Sequence, residues 1–200
     1  ISGIRDVSAV DFAYAKQLGF RIKLVGTAEP GRMPRMQTCL LPMSTQLAKV
    51  DGVLNAVEFD ANPVGSVVLT GPGAGSGATS SAVLSDLVDL ACDRIPFTFA
   101  RPVAALADGS AVENGGGPDT PFYVRLMVVD KPGVLADITS VLQIHDISVE
   151  SMLQQGRAPQ DTVALVLATH EVGVERLMTA LSEIESLSCV MAAPVAMPIL

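Results

Sequence analysis

The spacing of apolar and polar positions changes several times along this chain, and each change marks an element. Val7, Val10, Ala13, Tyr14 and Leu18 recur at helical spacing; Ser8-Ala-Val-Asp11 offers a capping-box start and Gly19 a stop. Residues 21–29 and 36–41 are rich in β-formers, with Pro30-Gly31 turning between them and Pro42 ending the second. One or two helical turns are expected within 44–49. Runs at 53–59 and 64–70 read as neighbouring strands joined through Asp60-Ala-Asn62-Pro63. The latter enters Gly71-Pro-Gly-Ala-Gly75-Ser-Gly and then a helix for which Thr79, Ser80 and Ser81 are all candidate caps. This first half predicts a mixed or antiparallel sheet with helices on one face.

Residues 94–120 break the pattern. Pro96, Pro102, Asp108-Gly109 and Asn114-Gly-Gly-Gly-Pro118 sustain no period, which predicts a linker. A second unit then begins: a strand at 123–129, a Pro-Gly turn, a helix at 134–144, strands at 147–155 and 162–169, a helix at 172–184 and a last strand at 188–197. The order βαββαβ is that of a ferredoxin-like domain.

Composition narrows the function classes. The 200 residues are 49% hydrophobic with few aromatics and no Trp, so the core is aliphatic. A net charge of −8 argues against a nucleic-acid surface, which needs clustered Lys and Arg. No apolar run approaches the roughly 20 residues that cross a bilayer, and no secretory signal is evident. Cys39, Cys92 and Cys189 are odd in number and widely separated, which suits buried free thiols in a cytoplasmic protein. The chain opens at Ile1 in mid-pattern and reads as part of a longer protein.

Candidate chemistry is sparse. Strand, glycines and helix start at 64–93 together present backbone donors suited to a phosphate or a flat polar ring. Gly73-Ala-Gly75-Ser-Gly-Ala78 satisfies the loose dinucleotide fingerprint, but the segment after Asp93 is broken by Pro96, so a self-sufficient dinucleotide fold is not expected. Lys16 and Lys23 read as solvated lysines, Asp6 and Asp11 as helix-start acids, and Met33, Met36 and Met43 as core or interface filler. His145 and His170 lack partners at metal-ligand or nucleophile spacing, so no catalytic residue and no metal ligand is assigned.

Two resemblances give this outline a function. Val124-Arg-Leu-Met-Val-Val-Asp130-Lys-Pro-Gly133-Val-Leu-Ala-Asp-Ile138, followed by Ile147-Ser-Val-Glu-Ser-Met-Leu-Gln154-Gln155, resembles the ACT domain, a regulatory module that binds amino acids in biosynthetic enzymes. Gly3-Ile4, Ala15-x-x-Leu18-Gly19-Phe20-x-Ile22-Lys23-Leu24, Val50-x-Gly52-Val53-x-Asn55-Ala56-Val57 and Gly71-Pro-Gly-Ala-Gly75-x-x-x-Thr79-x-Ser81-Ala82-Val83-x-x-Asp86 look like the later part of homoserine dehydrogenase. The whole resembles the monofunctional bacterial form with its ACT tail. The implied fold is α+β: part of a substrate domain over 1–93, a linker over 94–120 and a ferredoxin-like ACT domain over 121–200.

The resemblance implies NAD(P)H-dependent interconversion of L-aspartate 4-semialdehyde and L-homoserine, on the branch toward threonine, methionine and isoleucine. In the family the nucleotide-binding domain and the catalytic Lys precede the matched segment. This chain alone is therefore expected to be inactive and to bind NADP or NAD at most weakly, through Gly73, Ala74, Gly75 and Thr79. Many relatives carry Pro where this chain has Ala78. An effector, with threonine the first to test, is expected at Lys131, Gly133, Val134 and Leu135, whose helix start offers donors to a carboxylate. Asp146 and Ile147 open the next strand, where Asp146 accepts from the ammonium. Pairing into a dimer or tetramer through the first sheet and the ACT unit is also implied. The alternative is a free-standing amino-acid-binding or oligomerisation module.

Overall fold

The computed structural model describes residues 4–30, 32–94, 102, 104, 117–154 and 161–200. In chain order the elements are helix α1 (Ala9–Gln17), strands β1 (Phe20–Thr27) and β2 (Arg35–Pro42), a short 3-10 helix (Leu47–Lys49), strands β3 (Leu54–Ala61) and β4 (Gly65–Pro72) and helix α2 (Ser76–Ala91). After these come β5 (Phe122–Val129), α3 (Val134–Ile144), β6 (Val149–Gln154), β7 (Thr162–Thr169), α4 (Val174–Glu185) and β8 (Val190–Pro198). The class is α+β. Most of the expected linker and the turn at 156–160 lie outside the described residues.

The chain divides into two compact units, residues 1–44 with 113–200, and residues 45–112. This partition differs from the expected division after residues 93 and 120, because α1 and the β1–β2 hairpin pack with the C-terminal sheet.

In the first of these units, β6-β7-β5-β8 form a four-stranded sheet, antiparallel at every pairing. That order is the ferredoxin-like one. Alternation along β5 divides its side chains between two cores. Phe122, Val124, Leu126 and Val128 face Ile138, Val141 and Leu142 of α3 and Leu177, Leu181 and Ile184 of α4. Tyr123 turns the other way, into a second core with Tyr14 and Ala15 of α1, Leu40 of β2, Val166, Ala168, Met197 and Ile199. Burial on both faces explains why β5 and β7 read as nearly continuous apolar runs. β1 and β2 pair antiparallel from Phe20↔Pro42 to Thr27↔Arg35. The hairpin is tied to the end of the chain by a parallel bridge between Leu40 and Ile199, and Leu200 N–H donates to the Leu40 carbonyl at 3.0 Å.

Two expectations for this unit are corrected. The buried face of α1 is Asp11, Tyr14 and Ala15, whereas Val10 is 40% exposed, because Asp11 has a buried cation to meet. Met33, Met36 and Met43 are exposed, so of the two places expected for them, core or interface, the core is excluded.

In residues 45–112, β3 and β4 pair antiparallel from Leu54↔Pro72 to Ala61↔Gly65 and lead into α2. The four strands of the first half therefore form two separate hairpins instead of one sheet. α2 has no buried residue, and Val83, Leu84, Leu87, Val88 and Leu90 are all exposed, as are Val57, Phe59, Val67 and Leu69 on the strands. Cys92 is likewise exposed, where a buried thiol was expected.

Candidate functional site: a glycine junction and a regulatory turn

The strand-to-helix junction is built from backbone. β4 ends at Pro72, Gly73 N–H donates to the Val53 carbonyl at 2.9 Å, and Gly75 precedes α2 with φ of 109°. That φ belongs to the region glycine alone enters freely. A Cβ at Gly73 would overlap the Asn55 side chain, so close approach of β3 fixes glycine there as well. The helix begins a turn earlier than the candidate caps suggested. Thr79 N–H already bonds the Gly75 carbonyl at 3.1 Å, and the Ser80 hydroxyl bonds back to the Gly77 carbonyl at 3.2 Å, so Thr79, Ser80 and Ser81 lie inside α2 and cap nothing. Of the expected cofactor residues, Gly73, Ala74 and Gly75 form the junction and Thr79 lies one turn along; all four are exposed. The first turn of α2 carries no acidic residue to oppose an anion. Asp93 sits in a turn with φ of 52°.

The second candidate follows β5. Lys131 N–H turns back onto the Val129 carbonyl at 2.9 Å, Gly133 takes φ of 97°, and α3 starts at Val134. Val134 is buried in the core, while Lys131, Gly133 and Leu135 are exposed. Asp137 stands in the first turn and weakens the field an anion would meet. Asp146 lies beyond the other end of α3, exposed, with φ of 52° and Arg176 Nη1 at 3.7 Å from its Oδ2. Ile147 is buried in the sheet–helix core. The 11 residues of α3 span about 16 Å at 1.5 Å per residue. Within one chain, then, Asp146 and the Lys131–Leu135 turn do not converge on one small ligand. Asp146 and Ile147 instead border a separate hollow with Thr139, Gln143 and Ser148.

A polar cluster with no local signature along the chain joins α1 to β5. The Asp11 side chain is fully buried; its Oδ1 accepts from Arg125 Nε at 2.7 Å and from the Tyr123 hydroxyl at 2.8 Å. Its Oδ2 accepts from Ser8 N–H at 2.8 Å and the Ser8 hydroxyl at 2.9 Å, which realises the expected capping box. Arg125 Nη2 reaches the Asp6 carbonyl at 3.1 Å. Burial pushes the Asp11 carboxyl up, but the hydrogen bonds from Ser8, Arg125 and Tyr123 together hold it below its ordinary value of 3.8. Burial, then the neighbouring carboxylate, raises the Tyr123 hydroxyl well above its usual range.

Lys16 is exposed on α1 and Lys23 half-buried on β1. Among the described residues no three His, Cys, Asp or Glu side chains are grouped to hold a metal ion, and no helix is long and apolar enough to cross a membrane.

Fold and loops together define a class: an α+β segment with a glycine-rich strand–helix junction, followed by a ferredoxin-like module. Residues 1–88 match the homoserine dehydrogenase family and residues 122–189 the ACT domain. The chain is 34% identical over 200 residues to homoserine dehydrogenase of Neisseria gonorrhoeae, covering 95% of this chain and 46% of that protein. It is 35% identical over 196 residues to the Pseudomonas aeruginosa enzyme, covering 92% of this chain and 45% of that one. The crystal structure of homoserine dehydrogenase from Thiobacillus denitrificans superposes with a TM-score of 0.79 at 34% identity, covering 99% of this chain and 46% of that chain. This chain belongs to the homoserine dehydrogenase family and carries an ACT domain, and it spans about half the length of the curated relatives it matches.

Proposed function

We propose that this chain is the substrate-side and regulatory part of an enzyme that interconverts L-aspartate 4-semialdehyde and L-homoserine with NAD or NADP, in the cytoplasm, toward threonine, methionine and isoleucine. The observation that carries the reading is the glycine junction at residues 71–79, within the segment matched to the family. Ala74 and Gly75 there offer backbone donors and Thr79 a hydroxyl, with Gly73 holding the loop to β3 through its own N–H, on an exposed helix start free of acidic groups. The functional division remains 1–93 for the substrate domain, 94–120 for the linker and 121–200 for the ACT domain. That evolutionary division coexists with the different compact packing described above.

Regulation is assigned to the ACT unit. A carboxylate meets Lys131, Gly133, Val134 and Leu135, and an ammonium meets Asp146 beside Ile147. Because one α3 holds these groups about 16 Å apart, a single amino acid bridging both ends needs the second end from a partner copy, which agrees with a homo-oligomer. Titration calorimetry of the chain with L-threonine tests this: heat lost in Asp146→Ala and in Gly133→Val supports it, and no heat in the parent chain refutes it. The catalytic half of the reading is tested with the chain alone. It is expected to leave NADPH and NADH unoxidised in the presence of aspartate semialdehyde, and turnover would refute its assignment as an incomplete catalyst.

A further inference from the structure

The family-matched segments and the compact units divide the chain at different places. Helix α1 belongs to the segment matched to homoserine dehydrogenase, residues 1–88, and β5 to the ACT-matched segment, residues 122–189. Yet α1 packs on the ACT sheet inside one compact unit, that of residues 1–44 and 113–200. Their contact is polar at its centre. Fully buried Asp11 on α1 accepts from the Tyr123 hydroxyl at 2.8 Å and from Arg125 Nε at 2.7 Å, both on β5. Arg125 Nη2 also holds the Asp6 carbonyl, ahead of the helix. Apolar neighbours can slide past one another. A buried ion pair cannot, because displacing either partner leaves a desolvated charge unpaired.

Strand β5 runs from this cluster to the Lys131–Leu135 turn. Arg125 and Val129 lie about 13 Å apart at 3.3 Å per residue, and Lys131 N–H bonds back onto the Val129 carbonyl. Pairing of β5 with β7 is unbroken from Tyr123 to Val129, so these two strands form one ribbon. Against β8 the register shifts between Arg125 and Met127 and again between Met127 and Val128. Those irregularities interrupt the ladder on that side, between the cluster and the turn, and let the ribbon adjust there.

We propose that the Asp11–Arg125–Tyr123 cluster is a joint that couples the seat of α1 on the ACT sheet to the conformation of the Lys131–Leu135 turn. A ligand held at the turn then biases the dehydrogenase-matched segment through α1. Asp11 and Arg125 act here as positioning residues and touch no ligand. The regulatory use of the joint rests on the reading of the ACT unit given above, but the coupling is a property of the ligand-free chain. It is reciprocal: the factor by which the turn affects α1 is the factor by which α1 affects the turn.

The test is amide hydrogen exchange of the whole chain without ligand, read at both ends. At α1 the reporters are Asp11 and Phe12, whose N–H groups bond the Ser8 carbonyl at 3.1 and 3.4 Å. At the turn they are Lys131 and Asp137, bonded to the Val129 and Gly133 carbonyls at 2.9 and 3.0 Å. Leu177, bonded to the Gly173 carbonyl at 3.1 Å, belongs to neither end and reports any general loss of stability. Gly133→Ala is expected to speed exchange at Asp11 and Phe12 about fivefold or more beyond any change at Leu177, the lower end of ordinary coupling between sites. Arg125→Met should speed Lys131 and Asp137 by a similar factor. The double variant Asp11→Leu with Arg125→Met replaces the ion pair by an apolar contact and keeps the chain folded, as its melting temperature checks. In that background Gly133→Ala should no longer reach Asp11 and Phe12, a loss of response that a merely structural role for the cluster does not produce. Exchange at Asp11 and Phe12 that follows Leu177 in Gly133→Ala, or an equal response with and without the ion pair, would overturn the proposal. Calorimetry with L-threonine bears on the effector alone, so the two readings fail separately.

Discussion

Replacing Asp11 by Asn keeps the shape of the side chain and removes its charge, leaving the Arg125 guanidinium, 10% exposed, without its counter-ion. Removing one partner of a buried pair typically costs about 3–5 kcal/mol, because the remaining charge stays desolvated. Here the amide oxygen still accepts from Tyr123 and Arg125 Nη2 keeps the Asp6 carbonyl, but the amide NH2 in place of Oδ2 faces the Ser8 N–H, donor against donor, so a cost of about 3 kcal/mol or more is expected. With a urea slope of about 2 kcal/mol per molar, a loss of about 3 kcal/mol moves the unfolding midpoint down by about 1.5 M. Intrinsic tyrosine emission is a suitable probe. The chain has two tyrosines and no tryptophan, and Tyr14 and Tyr123 are both buried in the core that joins α1 to the ACT sheet. The double variant Asp11→Leu with Arg125→Met removes both charges and should recover most of the loss, as apolar replacement of buried pairs often does. A single-variant cost below about 1 kcal/mol, or two single effects that simply add in the double variant, would refute the coupling. A pH series adds a second check. The folded Asp11 carboxyl titrates below its ordinary 3.8, so its contribution is complete above that value and is lost as pH falls through the lower, folded value. The stability gap between the parent and Asp11→Asn should be level at neutral pH and close only in acid.

Other consequences are open to simpler measurements. Gly133→Ala places a side chain at φ of 97° and should cost about 1–2 kcal/mol, read in the same urea titration; no loss would mean that the turn before α3 relaxes freely. Gly73→Ala should speed hydrogen exchange of amide 73, which bonds the Val53 carbonyl, and Asn55→Ala in the same chain should restore it by removing the side chain in the way. At pH 8 a thiol reagent should label Cys92 quickly and Cys39 only on unfolding, because burial holds the Cys39 thiol up at about 12 while Cys92 is exposed; rapid labelling of Cys39 would contradict its place in the structure.

Periodicity made the elements legible where each has one wet face or a sharp punctuation mark. The helix over Val134–Ile144 and the strand over Thr162–Thr169 agree residue for residue with their sequence boundaries, since Gly133 and the flanking polar residues leave little choice. The caps of α2 were misplaced because Thr79, Ser80 and Ser81 are good capping chemistry, whereas the glycines N-terminal to them let the helix start at Ser76 with no side-chain cap at all. Asp11 was legible as a helix-start acid and is one. Its pairing with Arg125 spans 114 positions of sequence, and no local pattern encodes a contact at that distance. The same holds for Tyr123, which alternation places on the far side of β5 without saying what covers that side. At the Lys131–Leu135 turn, sequence alone treats the two ends of α3 as neighbours, and helix length separates them.

Anyone grafting the ACT segment onto another enzyme inherits a problem set by strand β5. Cut free at residue 121, it carries a guanidinium and a phenol whose shared acceptor stays behind on the donor's helix. A recipient scaffold must then provide its own acid in that place, or Arg125 and Tyr123 must be rewritten as hydrocarbons, before the transplanted module can sit dry against a new neighbour.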